Sequence, residues 1–385
     1  MRKYLVKRLF QIVLTLFIYL TITFIILQAQ PGDITNVYVL NPKIPPEVRE
    51  RLREQLGLDK PLFFQYLQYL QNMATGNLGI SFSQYPRPVW EIIKERLPRT
   101  VLLFLVAYLI YFFFGYQMGK LIAWKRSGVL EYSSTIIGSF LYTVFTPWWA
   151  LLMLWIFAFK LGWLPNGKFI TVEIWRNFRD ISANQVFNLI LIAGGAMTAF
   201  IFLSYYLGRR LGTRRAAANV TVAAVIVSVG AIAFLIASTT VGYLAADILK
   251  HLILPVVTLS TINFAGYMLL MRNSMLETIR EDYVMAARAK GLPDRVVRNR
   301  HAARNALLPI VTSFILALAT VVDGGIITET LFSWPGIGLT MLNAILSEDM
   351  PLAMGALVFT GIFLLIGHLV ADLLYAYLDP RIKYS

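Results

Sequence analysis

Apolar runs about twenty residues long recur through this chain of 385 residues, and they limit its fold more than any other feature. Leu9–Leu27 and Val101–Ile122 are two of them, and Val220–Ile236 is built mostly of Val, Ala and Ile. A run of about 20 apolar residues is long enough to cross the hydrocarbon core of a bilayer, which is about 30 Å thick. The pattern predicts an all-α polytopic membrane protein.

Composition supports this class and excludes others. Hydrophobic residues make up 57% of the chain, whereas roughly half is usual in soluble domains. The formal net charge is +14, but the basic residues cluster beside the apolar runs, which is typical of membrane-flanking charge and predicts no nucleic-acid partner. No cysteine is present, so a disulfide framework, a thiol nucleophile and a Cys-ligated metal are excluded.

Eight spans are predicted, with both termini in the cytoplasm and the chain in the inner membrane. The first run is longer than a usual signal-peptide core and no A-x-A site follows it, so we expect it to be retained. With this orientation the cytoplasmic stretches hold about 21 of the 35 Lys and Arg residues in about 75 positions, against about 14 in about 130 outside. The spans are Leu9–Leu27, Val101–Ile122, Ser134–Phe159, Val186–Leu207, Val220–Tyr243, Leu252–Met271, Leu307–Ile327 and Ala353–Leu374.

The spans divide the chain into five predicted segments. Residues 1–30 hold the first transmembrane helix, and 31–99 form an extracytoplasmic cap with helices at Pro46–Leu56 and Leu62–Met73. Spans two and three with their outer loop occupy 100–182, and an accessory hairpin of two spans occupies 183–246. The core segment 247–385 contains the last three spans. It also contains a polar stretch, 278–306, that we expect to be cytoplasmic.

That polar stretch predicts a helical turn held against one membrane face. Thr278–Lys290 is composed of good helix formers, and Gly291 stands where a C-terminal cap needs a positive φ. Pro293 suits the first turn of a second helix through Arg295–Ala306. Small residues let a partner's backbone approach closely, which favours a docking surface; a solvated basic loop is the alternative. The small residues are Ala286, Ala287, Ala289 and Gly291.

Four blocks of sequence, in order, resemble the dipeptide/oligopeptide family of ABC importer permeases. They are YVMAARAKG at Tyr283–Gly291, RNRHAARNALLP at Arg298–Pro309, ETLFSWPGIG at Glu329–Gly338 and DLLYAYLDPR at Asp372–Arg381. The resemblance implies the type I permease fold with six core transmembrane helices. Here the accessory hairpin is inserted into those six. Met285 departs from the pattern, since many permeases carry a glutamate there.

The resemblance also implies partners and a coupling site. Such permeases pair with a second homologous permease, two ATPase subunits and an extracytoplasmic substrate-binding protein. No G-x-x-x-x-G-K-[ST] sequence occurs, so ATP and Mg are expected on the ATPases and no cofactor in this chain. The polar turn would be the coupling helix that inserts into an ATPase groove. Its expected interface residues are Tyr283, Ala286, Ala287, Arg288, Ala289, Lys290, Gly291 and Leu292.

Three residues within the spans are candidates for special roles. Pro147, in a TPWW sequence, predicts a break in the third span that either lines the translocation path or is an ordinary packing kink. Asp323 would line the path and meet a cationic substrate group, or bond to a neighbouring helix. Asp372, near the end of the last span, is expected to have a structural role, either pairing with a basic group or capping a bend.

The accessory hairpin, 183–246, is the part that the family resemblance does not explain. Ala193, Gly194, Gly195 and Ala196 predict a flat patch for close packing of its first helix. Basic residues in its turn, Arg209, Arg210, Arg214 and Arg215, are expected at anionic lipid headgroups.

Three functions compete, of which the ABC importer permease for peptides or similar small solutes is favoured. A secondary transporter with its own ion-coupling site is the alternative, since such sites use broken helices and buried charges. A membrane enzyme lacks a catalytic constellation: nothing fits G-x-S-x-G or H-E-x-x-H.

Overall fold

The computed structural model describes residues 2–28, 60–125, 128–211, 214–319, 321 and 325–378. Apart from an isolated bridge between Ile80 and Pro88, the regular structure within these ranges is helical. The predicted helix Pro46–Leu56, the residue Asp323 and the tail after Leu378 lie outside the described residues. The predicted helix at Leu62–Met73 is confirmed as Leu62–Ala74.

The helices are numbered here in chain order. The first half contains α1 Arg2–Gln28, α2 Leu62–Ala74, α3 Val89–Trp124, α4 Val129–Thr143, α5 Thr146–Met153 with a π segment Leu154–Lys160, α6 Val172–Trp175, α7 Ala183–Leu211 and α8 Arg214–Ser238. The second half contains α9 Thr240–Thr278, α10 Asp282–Ala289, α11 Asp294–Val296 with a π segment Val297–Ala302, α12 Ala303–Ala306, α13 Leu308–Ala319, α14 Ile326–Leu331, α15 Ile337–Leu346 and α16 Met350–Leu378.

Two compact units divide the chain, one formed by residues 1–151 with 256–385 and the other by 152–255. Six of the described helices are long and apolar enough to cross a membrane, and two bent helix pairs bring the total to eight. The prediction of an all-α membrane protein is therefore confirmed, and the predicted eight spans are the upper end of the range of six to eight that the described helices allow. The bent pairs are α4 with α5 and its π segment, at 106°, and the α11–α12 stretch with α13, at 49°.

Several predicted span limits differ from the structure, among them that of the second span, which begins at Val89 instead of Val101. The sixth span is much longer than expected, since α9 has 39 residues, begins at Thr240 and contains Pro255. The fifth correspondingly ends at Ser238 instead of Tyr243, so 240–246 belong to α9. The seventh is shorter: α13 has 12 residues, or about 18 Å.

In the first unit, α3 packs closely on α9 through small residues. A Cβ at Gly119 would lie 2.5 Å from the Met268 carbonyl oxygen, and one at Gly115 would lie 2.7 Å from Cβ of Tyr267. Two turns earlier in α3, the Ala107 carbonyl accepts a hydrogen bond from Ser260 Oγ of α9 at 3.4 Å. Residues without a side chain at 115 and 119 therefore let the two backbones meet, as is usual for helices in lipid.

In the second unit, α7 and α8 form the predicted hairpin, but they do not pack through the predicted patch. A Cβ at Gly194 or Gly195 would meet nothing within 4 Å, and Ala193 and Ala196 are exposed. The helices meet instead at the turn end, where a Cβ at Gly208 would lie 2.8 Å from the Ala217 Cα. Small residues alone did not identify the contact. They allow two helices to approach closely, but they do not show where along the helices this happens.

A buried carboxylate organises the rest of the second unit. Asp247 in α9 accepts hydrogen bonds from the Thr171 backbone N–H at 2.9 Å, from Thr171 Oγ1 at 2.7 Å and from Trp175 Nε1 at 2.8 Å. His251 Nδ1 lies 2.8 Å from the Asp247 carbonyl oxygen. These bonds hold the loop before α7 to the first turns of α9.

Candidate functional site

The polar turn, predicted at 278–306, occupies 279–307 in the structure, between the end of α9 and the start of α13. Helix α9 continues to Thr278, so the predicted start of a separate helix at Thr278 is wrong, and the new helix α10 begins at Asp282. Near the end of α9, Arg272 Nε donates to Glu131 Oε1 in α4 at 3.1 Å, and Ser274 Oγ donates to the Ala306 carbonyl at 2.9 Å. Both ends of the polar turn are thus tied to the spanning helices.

The short helix α10 has one face turned toward the protein and one turned outward. Val284 and Ala287 are buried in an apolar cluster with residues of α9 and of the second limb of the turn. Ala287, one of the predicted interface residues, therefore lies on the inner face, because a helix of eight residues needs such a face to hold it. The outward face keeps the other predicted residues exposed: Tyr283, Ala286, Arg288, Ala289, Lys290, Gly291 and Leu292.

Gly291 ends this helix in the left-handed conformation that its sequence predicted. Its φ is +74°, and its N–H donates to the Arg288 carbonyl at 2.9 Å. A Cβ there would meet nothing within 4 Å, so a side chain would be opposed by backbone strain and not by a clash. Pro293 caps the next helix, one position before the expected first turn, and its carbonyl accepts from Val296 N–H at 2.8 Å.

Two side chains from α10 hold the turn in place. Asn305 Nδ2 donates to Tyr283 Oη at 2.8 Å, which joins the two limbs. The Arg288 guanidinium lies 4.8 Å from the centre of the Trp124 ring at the end of α3, a cation–π contact. The turn is therefore connected directly to α3 and α9.

The remaining candidates from the sequence are placed as follows. The third span is interrupted at Val144 and Phe145, and Pro147 lies in the first turn of α5, where a missing N–H disturbs no helical bond. Pro147 therefore starts a helix and does not kink one. Asp372 pairs with Arg8 of α1 at 2.8 Å, which confirms its expected ion pair. A role for Pro147 or Asp323 in the path stays a prediction.

A buried glutamate that the sequence reasoning missed lies in the ETLFSWPGIG block. Glu329 in α14 is fully buried and accepts hydrogen bonds from Thr100 Oγ1 at 2.7 Å and from the Leu339 N–H at 2.9 Å. Burial raises the pKa of this carboxyl to about 7, although these hydrogen bonds partly lower it. Glycine is required beside it, since a Cβ at Gly336 would lie 2.2 Å from Glu329 Oε1.

The same block fixes α14 and α15 against α3. Trp334 is fully buried and its Nε1 donates to the Arg99 carbonyl at 3.1 Å, while the Ile337 N–H donates to Thr100 Oγ1 at 2.8 Å. Glutamate next to tryptophan, proline and two glycines was the available signal. Sequence alone gave no indication that the carboxyl faced inward.

Comparison with known proteins agrees with this arrangement. Residues 201–384 match the family model described as binding-protein-dependent transport system inner membrane component, and residues 1–104 match the model of its N-terminal part. A di/tripeptide transport system permease protein DppB of Pseudomonas aeruginosa is 31% identical over the full length of both chains. The chain belongs to the binding-protein-dependent transport permeases. It is a multi-pass protein of the inner membrane and not an enzyme.

Two further relatives cover the permease completely. A dipeptide transport system permease protein DppB of Alkalihalophilus pseudofirmus is 33% identical, and an oligopeptide transport system permease protein AppB of Bacillus subtilis is 29% identical. The two matched ranges leave 105–200 unmatched, and this gap includes the first part of α7. The family match supports an ABC importer permease and not the secondary transporter that competed with it.

Proposed function

We propose that this permease imports peptides and that its polar turn is the contact for an ATPase. Peptides are named as the cargo of its full-length relatives, two of which share 31% and 33% of residues with it. The observation that carries the coupling role is the attachment of α10 to α3 and α9 while its outer face stays exposed.

The proposed assembly contains a second homologous permease, two ATPase subunits and an extracytoplasmic substrate-binding protein. ATP and Mg bind to the ATPases, and the substrate path lies between the two permeases. Both termini are cytoplasmic, which places the polar turn on the side where ATP is available. Closure of the ATPases displaces α10, and the continuous helix α9, about 58 Å long, transmits that displacement across the membrane.

The hairpin of α7 and α8 is proposed to flank the transport core and contact lipid. In the most apolar 18-residue stretch of α7 only 11% of residues are buried, and in that of α8 only 6%. The mean hydropathies of these stretches are nevertheless 2.2 and 2.7. An apolar surface that is not covered by protein is suited to acyl chains. Arg209 and Arg210 at the end of α7 fit the headgroup region.

The coupling role is tested by Gly291→Val in the complete complex in proteoliposomes. Valine at a φ of +74° costs about 1–2 kcal/mol, because its Cβ meets the following carbonyl, so the end of α10 will change shape. We expect ATPase stimulation by the loaded binding protein to be lost while assembly is retained.

Gly76→Val is the matched control for this experiment. Gly76 has a φ of +72° and also has nothing within 4 Å of its Cβ position, but it lies after α2, far along the chain from the turn. It should keep normal stimulation. Normal stimulation in a fully assembled Gly291→Val complex would exclude the turn as the coupling site.

A further inference from the structure

A small polar cavity lies beside the WPG sequence, at the start of α3 and along α15. Its volume is about 100 Å³, and five of its nine lining residues are polar: Ser83, Gln84, Arg96, Thr340 and Asn343. Pro335 of the WPG sequence also lines it. One water requires about 10–15 Å³ by such a measure, so the cavity holds a carboxylate group but not a whole peptide.

Arg96 is the charged residue in this cavity, and its hydrogen bonds are incomplete. Its Nε is buried and has no hydrogen-bond partner among the described residues. Its ion pair with Glu95 is long, at 3.5 Å. A guanidinium has five N–H donors, and a buried donor without a partner is costly.

Glu95 cannot satisfy Arg96 because two other arginines use it. Arg87 Nη2 lies 2.8 Å from Glu95 Oε2, and Arg99 Nη2 lies 3.0 Å from Glu95 Oε1. Three guanidinium groups thus share one carboxylate, which leaves an excess of positive charge beside the cavity.

Two further carboxylates bond to residues that line the cavity, and both are occupied: Glu329 accepts from Leu339 N–H and from Thr100 Oγ1, and Asp349 binds Ser83. Asp349 Oδ2 accepts hydrogen bonds from Ser81 Oγ, from Ser83 Oγ and from the Ser83 N–H, and Asp349 Oδ1 accepts from the Leu352 N–H at the start of α16. Asp349 is fully buried and holds the 81–83 loop to that helix. The hydrogen bonds of Asp349 are thus made to Ser81, Ser83 and Leu352 and not to Arg96.

We propose that this cavity is a carboxylate-binding site on the extracytoplasmic side of the permease. Arginine presents parallel N–H groups that match a carboxylate, and the amides of Gln84 and Asn343 add neutral donors. With 36 residues, α3 is about 54 Å long and exceeds the hydrocarbon core by several turns, and the proposed cytoplasmic N-terminus puts its first turns on the outer aqueous side. A carboxylate arriving there belongs to the transported peptide's C-terminus or to an acidic side chain of the binding protein.

The test replaces Arg96 with Gln in the complete complex and measures two activities. Transport is compared for a dipeptide with a free C-terminus and for its C-terminal amide; this part rests on the proposed peptide cargo. Stimulation of the ATPase is also measured with ligand-free binding protein. Arg96→Lys, which keeps the charge but loses the paired N–H geometry, should give an intermediate loss.

The two sources of carboxylate give different results. If the peptide supplies it, Arg96→Gln lowers transport of the acid about tenfold and leaves the amide unchanged. If the binding protein supplies it, stimulation by the ligand-free protein falls about tenfold and acid and amide are affected equally. The site is refuted when the assembled variant keeps wild-type values in both measurements.

Arg87→Gln is the matched control, since it removes the same charge from the same Glu95 cluster but does not line the cavity. Equal losses in Arg87→Gln and Arg96→Gln would show a general charge effect and also refute the site. A wild-type complex that transports neither peptide refutes the peptide cargo, and the ATPase measurement then decides the site by itself.

Discussion

The two longest core helices and the hairpin differ in burial far more than in hydropathy. The most apolar 18-residue stretches of α3 and α9 have mean hydropathies of 2.0 and 1.7, and 33% and 56% of their residues are buried. Those of α7 and α8 are more apolar, at 2.2 and 2.7, yet only 11% and 6% buried. In lipid, apolar surface gains nothing from being covered by protein, so hydropathy does not identify the core.

The regions also differ in what holds their helices together. Between α3 and α9 the contacts depend on position: glycines at 115 and 119 lie against the backbone of the other helix. In the hairpin, Thr198 and Thr221 bond back to carbonyls of their own helices, at Gly194 and Ala217. The core therefore depends on particular residues along α3 and α9, whereas the close approach in the hairpin, at Gly208, lies at its turn end.

The largest expected effect comes from adding a side chain to a core glycine. In Gly119→Leu, the new Cβ would lie 2.5 Å from the Met268 carbonyl oxygen and 2.6 Å from the Met271 Cβ, so the two helices must move apart. Overpacking of this kind typically costs about 1–3 kcal/mol. We expect several-fold less assembled complex after purification, and a lower unfolding temperature.

Gly195→Leu makes the same change in the hairpin, where nothing lies within 4 Å of the Cβ position. Its yield and unfolding temperature should equal those of the wild type. A loss as large as that of Gly119→Leu would mean that the hairpin is packed against a partner and is not a lipid-facing flank.

A smaller effect is expected from the buried carboxyl of Glu329, a kind of group that the described part of the hairpin lacks. Its pKa of about 7 in the folded protein exceeds the usual value of about 4.3, so the folded state binds the proton more tightly. The stabilisation present at low pH is therefore lost as the pH rises from about 4 through about 7. The unfolding temperature should fall over that window.

Glu329→Gln should remove this fall, because glutamine stays neutral and can donate to Thr100 Oγ1 while accepting from the Leu339 N–H. Thermal unfolding of the complex between pH 5 and pH 8 measures the difference in slope. Glu348→Gln, at an exposed glutamate between α15 and α16, should keep the wild-type slope. Identical slopes for all three proteins would contradict the raised pKa.

The smallest effect on transport is expected from removing the hairpin altogether. A chain that joins Ala183 to Thr239 by a short linker keeps all of α9, including Asp247 and its bonds to Thr171 and Trp175. We expect transport within about twofold of the wild type, with some loss of thermal stability from lost lipid contact. Complete loss of transport in a well-assembled complex would place the hairpin within the transport machinery.

Features that depend on neighbouring residues were predictable from the sequence. The six long spanning helices follow from the length of the apolar runs. The positive φ of Gly291 follows from the identity of one residue after a short helix. The ion pair of Asp372 was also anticipated, since a charge at the end of a span needs a partner. The family blocks then gave the fold class.

Tertiary structure alone decided which residue faces which neighbour. Glu329 and Ala287 are buried because α14 and α10 rest on helices distant in the chain, and no local pattern encodes that contact. The patch at 193–196 and the pair Gly115 and Gly119 are equally small in sequence, yet only the second meets another backbone. Small residues permit a close approach, but the packing energy depends on which helix surface lies against them. The whole fold determines that surface.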